Sequence, residues 1–461
     1  MKRIIIVILA MMLAAGLAAT EIEGQWNALL DVFGSELRLV VHIMDGPDGI
    51  NGTLDSPDQG AYGIEIDEIE YDMGKLVFSV TDIGLRYDGL FDGEMIRGIF
   101  NQGGYEAALV FSREELPEPE YDRPQEPREP FPYRSQDVFF ENPRAGIKLA
   151  GTLTLPQEEG IYPAVVLVSG SGPQDRNEEL LHHKPFLVLS DHLTRAGIAV
   201  LRYDDRGVAE SDGVFSGSTT FDFASDAQSA VAWLRQQKEI GRVGIIGHSE
   251  GGIIAPIVVS LDKELDFIVL LAGTGVRGDE LLMKQTELIS ISMGTEKDKL
   301  AQSQKLNRMV YDLVLEMEDK DELTKALDKL VDDAWEDGYA ELFPVPEKDT
   351  AKMYLIDEVV DDWMLTFMRL DPAIYLEQVT IPVLALNGDK DLQVEIQQNL
   401  TAIREALERA GNPDFTTIEY EGLNHLFQHS ETGNVNEYIK LEETFAIEVM
   451  EDIVEWILER E

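Results

Sequence analysis

Three polar side chains stand out because their types, order and neighbours could assemble a nucleophile, a base and an acid. Ser249 lies in Gly247-His248-Ser249-Glu250-Gly251, between an apolar run at 243–246 and a helix-like run at 252–259. In that strand–turn–helix setting, G-x-S-x-G lifts a serine hydroxyl off the end of a strand on a sharp turn. The pentapeptide alone is weak, because glycine fills 38 of the 461 positions. Chance supplies such a match in roughly one chain of this kind in five, so context must carry the assignment.

The context is a base, an acid and a source of backbone donors. His425 ends Gly422-Leu423-Asn424-His425, after a candidate last strand at 415–420. Of seven histidines, His42, His182, His183 and His192 precede the serine. His248 adjoins the serine, and its side chain is expected to point away. His429 is expected in a helix. His425 is therefore the expected base. The acid is expected in Gly388-Asp389-Lys390-Asp391, directly after a strand at 383–386. Asp389 and Asp391 compete for the role. Asp391 is preferred, because the turn uses Gly388 and its neighbours before a side chain can point back. Ser169-Gly170-Ser171-Gly172-Pro173 follows a strand at 164–168. A turn of this kind can aim an amide at a developing oxyanion, beside the amide of Glu250. We assign the second donor to Ser171, with Gly170 as the alternative. Each such donor is worth ~10²–10³-fold in rate. Together these groups describe acyl transfer through a covalent serine intermediate, chemistry that needs neither metal nor cofactor.

The surrounding elements must bring these residues together. Near-continuous apolar runs at 164–168, 199–203, 243–246, 267–271 and 383–386 read as parallel strands buried on both faces. Helical patterns at 180–196, 221–237, 253–261 and 394–410 separate them, and a leading strand pair is expected at 138–140 and 149–155. This alternation predicts an α/β class, a doubly wound, mostly parallel sheet. The interval at about 275–373 breaks the alternation with helical text at 306–317, 323–335 and 351–367, and reads as an inserted lid. Residues 21–113 carry short alternating runs separated by Gly, Asp and Asn, predicting a small all-β barrel or sandwich of seven or eight strands. Prolines at 117, 119, 124, 127, 130 and 132 mark 114–134 as an extended linker, so the hydrolytic unit spans 135–461.

Composition narrows the function further. There is no cysteine, which excludes disulfides, a thiol nucleophile, zinc–thiolate sites and a lipoprotein anchor. Asp and Glu number 87 against 38 Lys and Arg, a formal charge of -49. That charge argues against nucleic acid or an anionic membrane as a partner. Lys2-Arg3 followed by an apolar stretch and Ala18-Ala19-Thr20 reads as an export signal over residues 1–20. The stretch falls short of the ~20 residues that span a bilayer. The mature protein is therefore expected in the periplasm or outside the cell, without stable membrane insertion.

From about residue 134 to the end, the chain resembles bacterial serine esterases of the α/β-hydrolase superfamily, in the dienelactone-hydrolase-like and bile-acid-CoA:amino-acid-acyltransferase-like group. The resemblance rests on Ser169-Gly170-Ser171-Gly172-Pro173-Gln174-Asp175-Arg176, Arg202-Tyr203-Asp204-Asp205-Arg206-Gly207, Gly247 to Gly252, Asn387 to Asp391 and Gly422 to His425. It implies carboxylesterase activity on small or medium acyl esters, with a peptidase or acyl-thioesterase as alternatives. It also implies that Arg206 braces a structural turn. A histidine often opens the oxyanion turn in this superfamily, and Ser169 stands in its place. The residues at 21–113 lie outside the resemblance.

The acidic balance carries a prediction of its own. If the excess charge is an adaptation to a saline exterior, counterions will screen its self-repulsion. Tm measured against NaCl should then rise, and a flat response would rule the adaptation out.

Overall fold

The computed structural model describes residues 21–32, 35–46, 49–59, 61–102, 105–117, 121–343 and 347–460, so the expected export signal lies outside the described residues. The chain divides into two compact units. One comprises residues 1–120 with 328–355, the other 121–327 with 356–461.

The first unit is built on nine antiparallel strands: β1 (Gly24–Val32), β2 (Ser35–Gly46), β3 (Gly49–Ser56), β4 (Ala61–Glu65), β5 (Glu68–Asp72), β6 (Lys75–Val80), β7 (Leu85–Phe91), β8 (Met95–Gln102) and β9 (Tyr105–Ser112). They form one sheet in the order β4-β3-β2-β1-β9-β8-β7-β6-β5. First and last strands pair, so this is an up-and-down sheet curled into a barrel that opens between β4 and β5. The connecting residues stitch that opening. The Ile66 amide donates to Gly52 O at 3.0 Å and the Asp67 amide to Ser79 O at 3.1 Å. The expected seven or eight strands are thus nine, and the sandwich alternative is replaced by a single curled sheet. Strands β4 and β5 are only five residues each, and none of their described side chains is fully buried.

Inward residues alternate along each strand and fill the barrel, with Trp26, Phe78, Tyr87, Phe100 and Phe111 fully buried. Tyr87 and Phe111 meet edge to face at 5.0 Å. Two helical stretches belong to this unit. Lys348 and Lys352 reach Asp332 at 2.6 and 2.8 Å, and the Tyr354 hydroxyl donates to Thr81 O.

The second unit holds eight strands: β10 (Arg134–Asn142), β11 (Ile147–Leu155), β12 (Tyr162–Val168), β13 (Ala199–Tyr203), β14 (Ile240–His248), β15 (Phe267–Leu271), β16 (Val383–Gly388) and β17 (Phe415–Tyr420). Their order is β10-β11-β13-β12-β14-β15-β16-β17. The β10–β11 hairpin joins β13 antiparallel, and every pairing from β13 to β17 is parallel. Between the strands run α1 (Pro185–Arg195), α2 (Thr220–Leu234), α3 (Gly251–Leu261), α4 (Gly278–Ser292), α5 (Lys297–Glu316), α6 (Lys320–Glu336), α7 (Lys348–Val359), α8 (Asp362–Arg369), α9 (Ile396–Ala410) and α10 (Ile447–Leu458), of which the 328–336 part of α6 and the 348–355 part of α7 are the helical residues of the first unit. Alternate residues of one strand enter opposite cores. Val166 and Val168 pack with α2, α3 and α9, whereas Val165 and Leu167 pack with α1 and α10. This two-sided burial is why the parallel strands read as unbroken apolar runs. The architecture is that of an α/β hydrolase, preceded by an antiparallel β unit.

Two expected helices differ from the text. Residues 180–184 do not join α1. Leu181 and His182 take positive φ of 51° and 60°, and Leu180 and His183 pair across that tight turn. The helix expected at 351–367 breaks into α7 and α8, because the Asp361 carboxylate caps a new start by accepting from the Trp363 and Met364 amides at 2.8 and 3.1 Å. The linker's described part is pinned rather than loose. Arg123 donates to His182 O and Ile439 O at 3.0 and 2.8 Å, and Gln125 to Phe445 O at 2.6 Å. Among the described residues no helix is long and apolar enough to cross a membrane.

Behind the sheet edge, Asp204-Asp205-Arg206-Gly207 is a braced turn. Asp204 accepts from the Arg176 guanidinium at 2.6 Å, and Arg206 donates to the buried Asp226 at 2.7 Å. Asn142 Nδ2 gives Asp226 a second donor at 2.6 Å. Burial still lifts the Asp226 carboxyl above its ordinary value, against the pull of Arg206 and Asn142. Removing the cation should therefore be costly. Arg206→Met is expected to destabilise this unit by about 3 kcal/mol, the typical cost of orphaning a buried charge. Urea unfolding followed by tryptophan fluorescence measures it, and a loss under about 1 kcal/mol would show that Asp226 does not depend on the pair.

Candidate active site

The strand β14 ends at His248 and α3 begins at Gly251, leaving Ser249 and Glu250 to make the turn. Ser249 sits at φ +52°, a left-handed conformation that a serine adopts only under constraint. The constraint is visible. A Cβ on Gly247 would stand 2.0 Å from Gly251 O, and one on Gly251 would stand 2.2 Å from Val168 O. The Ser249 amide donates to Leu271 O at 2.9 Å, anchoring the turn to β15.

The loops after β16 and β17 bring the acid and the base together. His425 Nδ1 donates to Asp391 Oδ2 at 2.8 Å, and both side chains are buried. Toward a carboxylate, Nδ1 is the atom that carries the hydrogen of this bond. Asp391 Oδ1 accepts from the Gln393 and Val394 amides, each at 2.8 Å, which locks the carboxylate. Asp389 instead accepts from the Gly422 amide at 2.6 Å, in a surface turn. Of the two acids weighed from the sequence, Asp391 is the one that faces His425. His429 is not helical as expected. It pairs with Leu423 across a turn and faces Glu443 and Glu448 at 2.9 and 3.3 Å. No hydrogen bond joins Ser249 Oγ to His425 among the described residues. His248, the residue before the serine, has its ring 4.8 Å from that of His425.

The oxyanion turn lies against the elbow. A Cβ on Gly170 would stand 3.2 Å from Ser249 Cβ, tighter than an ordinary contact, so a larger residue here would press on the serine. Here one expectation is corrected. The Gly170 amide is not free, because it donates to Glu178 Oε1 at 2.8 Å. Among the described residues the Ser171 and Glu250 amides have no acceptor within the chain. Ser169, standing where the resemblance implied histidine, donates its hydroxyl to the buried Asp205 at 3.2 Å. Burial pushes the Asp205 carboxyl well up, although Gln174 and Ser169 donate to it.

Two acids near the serine were not legible as site residues. Glu178, at φ +52°, accepts from Gly170 and from His248 Nδ1, the latter at 2.8 Å. His248 Nε2 in turn donates to His425 O at 3.0 Å. Burial alone would lower the His248 imidazolium. The charge and hydrogen bond of Glu178, with the His425 carbonyl, outweigh it and raise the group above its ordinary value. Glu250, expected to contribute only its amide, has a buried carboxylate that accepts from the Thr220 hydroxyl at 2.6 Å and Trp363 Nε1 at 2.9 Å. Burial raises its pKa, and those two donors offset part of the rise. Trp363 stacks on Phe367 at 5.1 Å within α8, and its bond to Glu250 ties that helix to the elbow. No group of acids and histidines among the described residues is arranged to hold a metal ion.

This geometry can be set beside known proteins. The family described as X-Pro dipeptidyl-peptidase (S15 family) matches residues 145–430. The chain belongs to that family. It is a serine hydrolase of the α/β-hydrolase superfamily, as the resemblance implied. A relative, esterase EstD of Thermotoga maritima, is 26% identical over 327 residues, covering 71% of this chain and 69% of its own. Among solved structures, Est1E of Butyrivibrio proteoclasticus with ferulic acid bound is 16% identical and covers 70% of this chain and 98% of its own, at a TM-score of 0.41. The α/β hydrolase GrgF of Penicillium sp. sh18 is 15% identical over 71% and 98% of the two chains, at 0.44.

The Glu250–Trp363 contact has a pH signature. Glu250 binds its proton more tightly folded than unfolded, so its contribution to stability is full below the unfolded pKa and is lost as pH rises through the folded one. Trp363→Phe removes a donor to the charged form and raises that pKa further. The variant's Tm deficit should therefore be larger at about pH 8 than at about pH 5. Scanning calorimetry at both pH values tests this, and an equal deficit would mean that Trp363 acts by packing alone.

Proposed function

We propose that this protein is a serine carboxylesterase acting on small or medium acyl esters, with Ser249 as nucleophile, His425 as base and Asp391 as its orienting acid. The observation that carries the proposal is the buried His425–Asp391 pair at 2.8 Å, held beside a serine at φ +52° and two amides that lack acceptors.

In this reading, His425 Nε2 takes the hydroxyl proton as Ser249 Oγ attacks the acyl carbon. Asp391 holds the tautomer and stabilises the imidazolium. The amides of Glu250 and Ser171 receive the oxyanion, where preorganised donors gain strength from exclusion of water. The imidazolium then protonates the departing alkoxide, leaving an ester on Ser249. Water, deprotonated by His425, attacks that ester and releases the carboxylic acid and the free serine.

The family match supports a second reading, a dipeptidyl-peptidase that would have to hold a substrate's terminal ammonium with a carboxylate. The acids nearest Ser249 speak against it. Glu250 is already engaged by Thr220 and Trp363, and Glu178 by Gly170 and His248. The similarity to an esterase over most of the chain favours the ester reading. We read the signal-like residues 1–20 as directing the protein to the periplasm or beyond, where ester substrates would be met outside the cytoplasm.

Hydrolysis of p-nitrophenyl acetate through octanoate tests the proposal against p-nitroanilides of proline-containing dipeptides. The esters should be cleaved, and Ser249→Ala should lower kcat by roughly 10⁴-fold or more. Activity surviving in that variant excludes the nucleophile. Preference for the dipeptide anilides would establish the peptidase reading.

A further inference from the structure

A second histidine–acid pair lies beside the first and belongs to none of the steps above. Both nitrogens of the buried His248 ring meet oxygen atoms: Glu178 Oε1 at 2.8 Å and His425 O at 3.0 Å. Against an ionised Glu178 both contacts are hydrogen bonds only if both nitrogens are protonated, which makes the ring an imidazolium with Glu178 as its counter-ion, in line with the raised His248 imidazolium. The same carboxylate oxygen holds the Gly170 amide at 2.8 Å, and Gly170 lies directly against Ser249. One ion pair therefore touches the oxyanion turn, the nucleophile elbow and the loop that carries the base.

We propose that Glu178 and His248 are positioning residues: their ion pair holds the His425 loop and the oxyanion turn in register with Ser249, and its discharge sets the alkaline limit of activity. The inference rests on the Ser249–Asp391–His425 reading. The titratable groups facing His248 are Glu178, from the segment before α1, and Asp391 and the His425 imidazole, from the loops after β16 and β17. On its own turn, the Glu250 carboxylate points instead to Thr220 and Trp363.

The consequence of losing the proton follows from the two acceptors. Glu178 keeps the Nδ1 hydrogen, because a charge-assisted bond is the stronger of the two. Nε2 then presents a lone pair to the His425 carbonyl. That contact turns repulsive and displaces the base loop, which lowers kcat with little effect on KM.

Glu178→Gln separates charge from shape. Both contacts of Glu178 fall on Oε1, so the amide oxygen can accept from Gly170 and from the Nδ1 hydrogen in the same place, without the charge. The imidazolium loses its counter-ion, and His248 gives up its proton at lower pH. The test is kcat and KM for p-nitrophenyl butyrate between about pH 6 and 10. The unmodified enzyme should lose kcat roughly tenfold on the alkaline side, the scale expected for a sub-ångström misplacement, with KM within about twofold. In Glu178→Gln that fall should set in about one pH unit or more lower. A fall at the same pH in both proteins, or none in the unmodified enzyme, overturns the proposal. Survival of activity in Ser249→Ala would instead defeat the triad reading, a different outcome in a different protein. Should Glu178→Gln fail to fold, ring ¹⁵N spectra of the unmodified protein at about pH 8 decide the matter. One slowly exchanging imidazole with both nitrogens protonated is expected, and its absence overturns the ion pair.

Discussion

A serine backbone held at positive φ is the constraint on which the catalytic unit turns. Such a conformation costs of order 1–3 kcal/mol and survives only where the surroundings over-determine it. Here β12, β14 and β15 do so. Gly251 leaves no room for a side chain against Val168 O, and the Ser249 amide is held by Leu271 O. The parallel ladder brings these three strand ends to one level. The strain is therefore carried by the sheet, and the hydroxyl is presented where the loops after β16 and β17 can deliver Asp391 and His425.

Charge is managed just as locally. The chain carries a large excess of acid, yet each carboxylate around the serine is matched to its own donors. Asp391 has His425 and two amides, Glu178 has Gly170 and His248, Glu250 has Thr220 and Trp363, and Asp205 has Ser169 and Gln174. Burying an unmatched carboxylate is expensive, and the alternative to a donor is a proton. These pairings make the site sensitive to single substitutions. Removing a donor changes the protonation of a neighbour as well as one contact.

Legibility followed the kind of physics involved. Local backbone demands are written in residue type. Gly247 and Gly251 around a serine, Gly-rich text after β12, and a Gly-x-x-His after the last strand all announce turns, and the turns lie where the text put them. Two-faced burial is equally local in its signature, which is why the parallel strands read without ambiguity. The barrel was harder. Strands β4 and β5 are only five residues each and fully bury none of their described side chains, so they were passed over and the count fell short. The break at Asp361 was missed for a related reason: α7 and α8 share one helical composition, and only the carboxylate turning onto the Trp363 and Met364 amides separates them.

The residue types and order of Ser249, Asp391 and His425, the parallel sheet that presents them, and the acidic, cysteine-free character of the chain were determined by sequence alone, because each depends on short-range pattern or on composition. Tertiary structure decided which acid faces the base, that the Gly170 amide is already committed, and that Glu178, Thr220 and Trp363 belong to the site. Those choices rest on pairs such as Glu178–His248 and Trp363–Glu250, separated by 70 and 113 residues. A hydrogen bond across such a distance leaves no periodicity in the text. It exists only once the sheet has brought its partners within 3 Å.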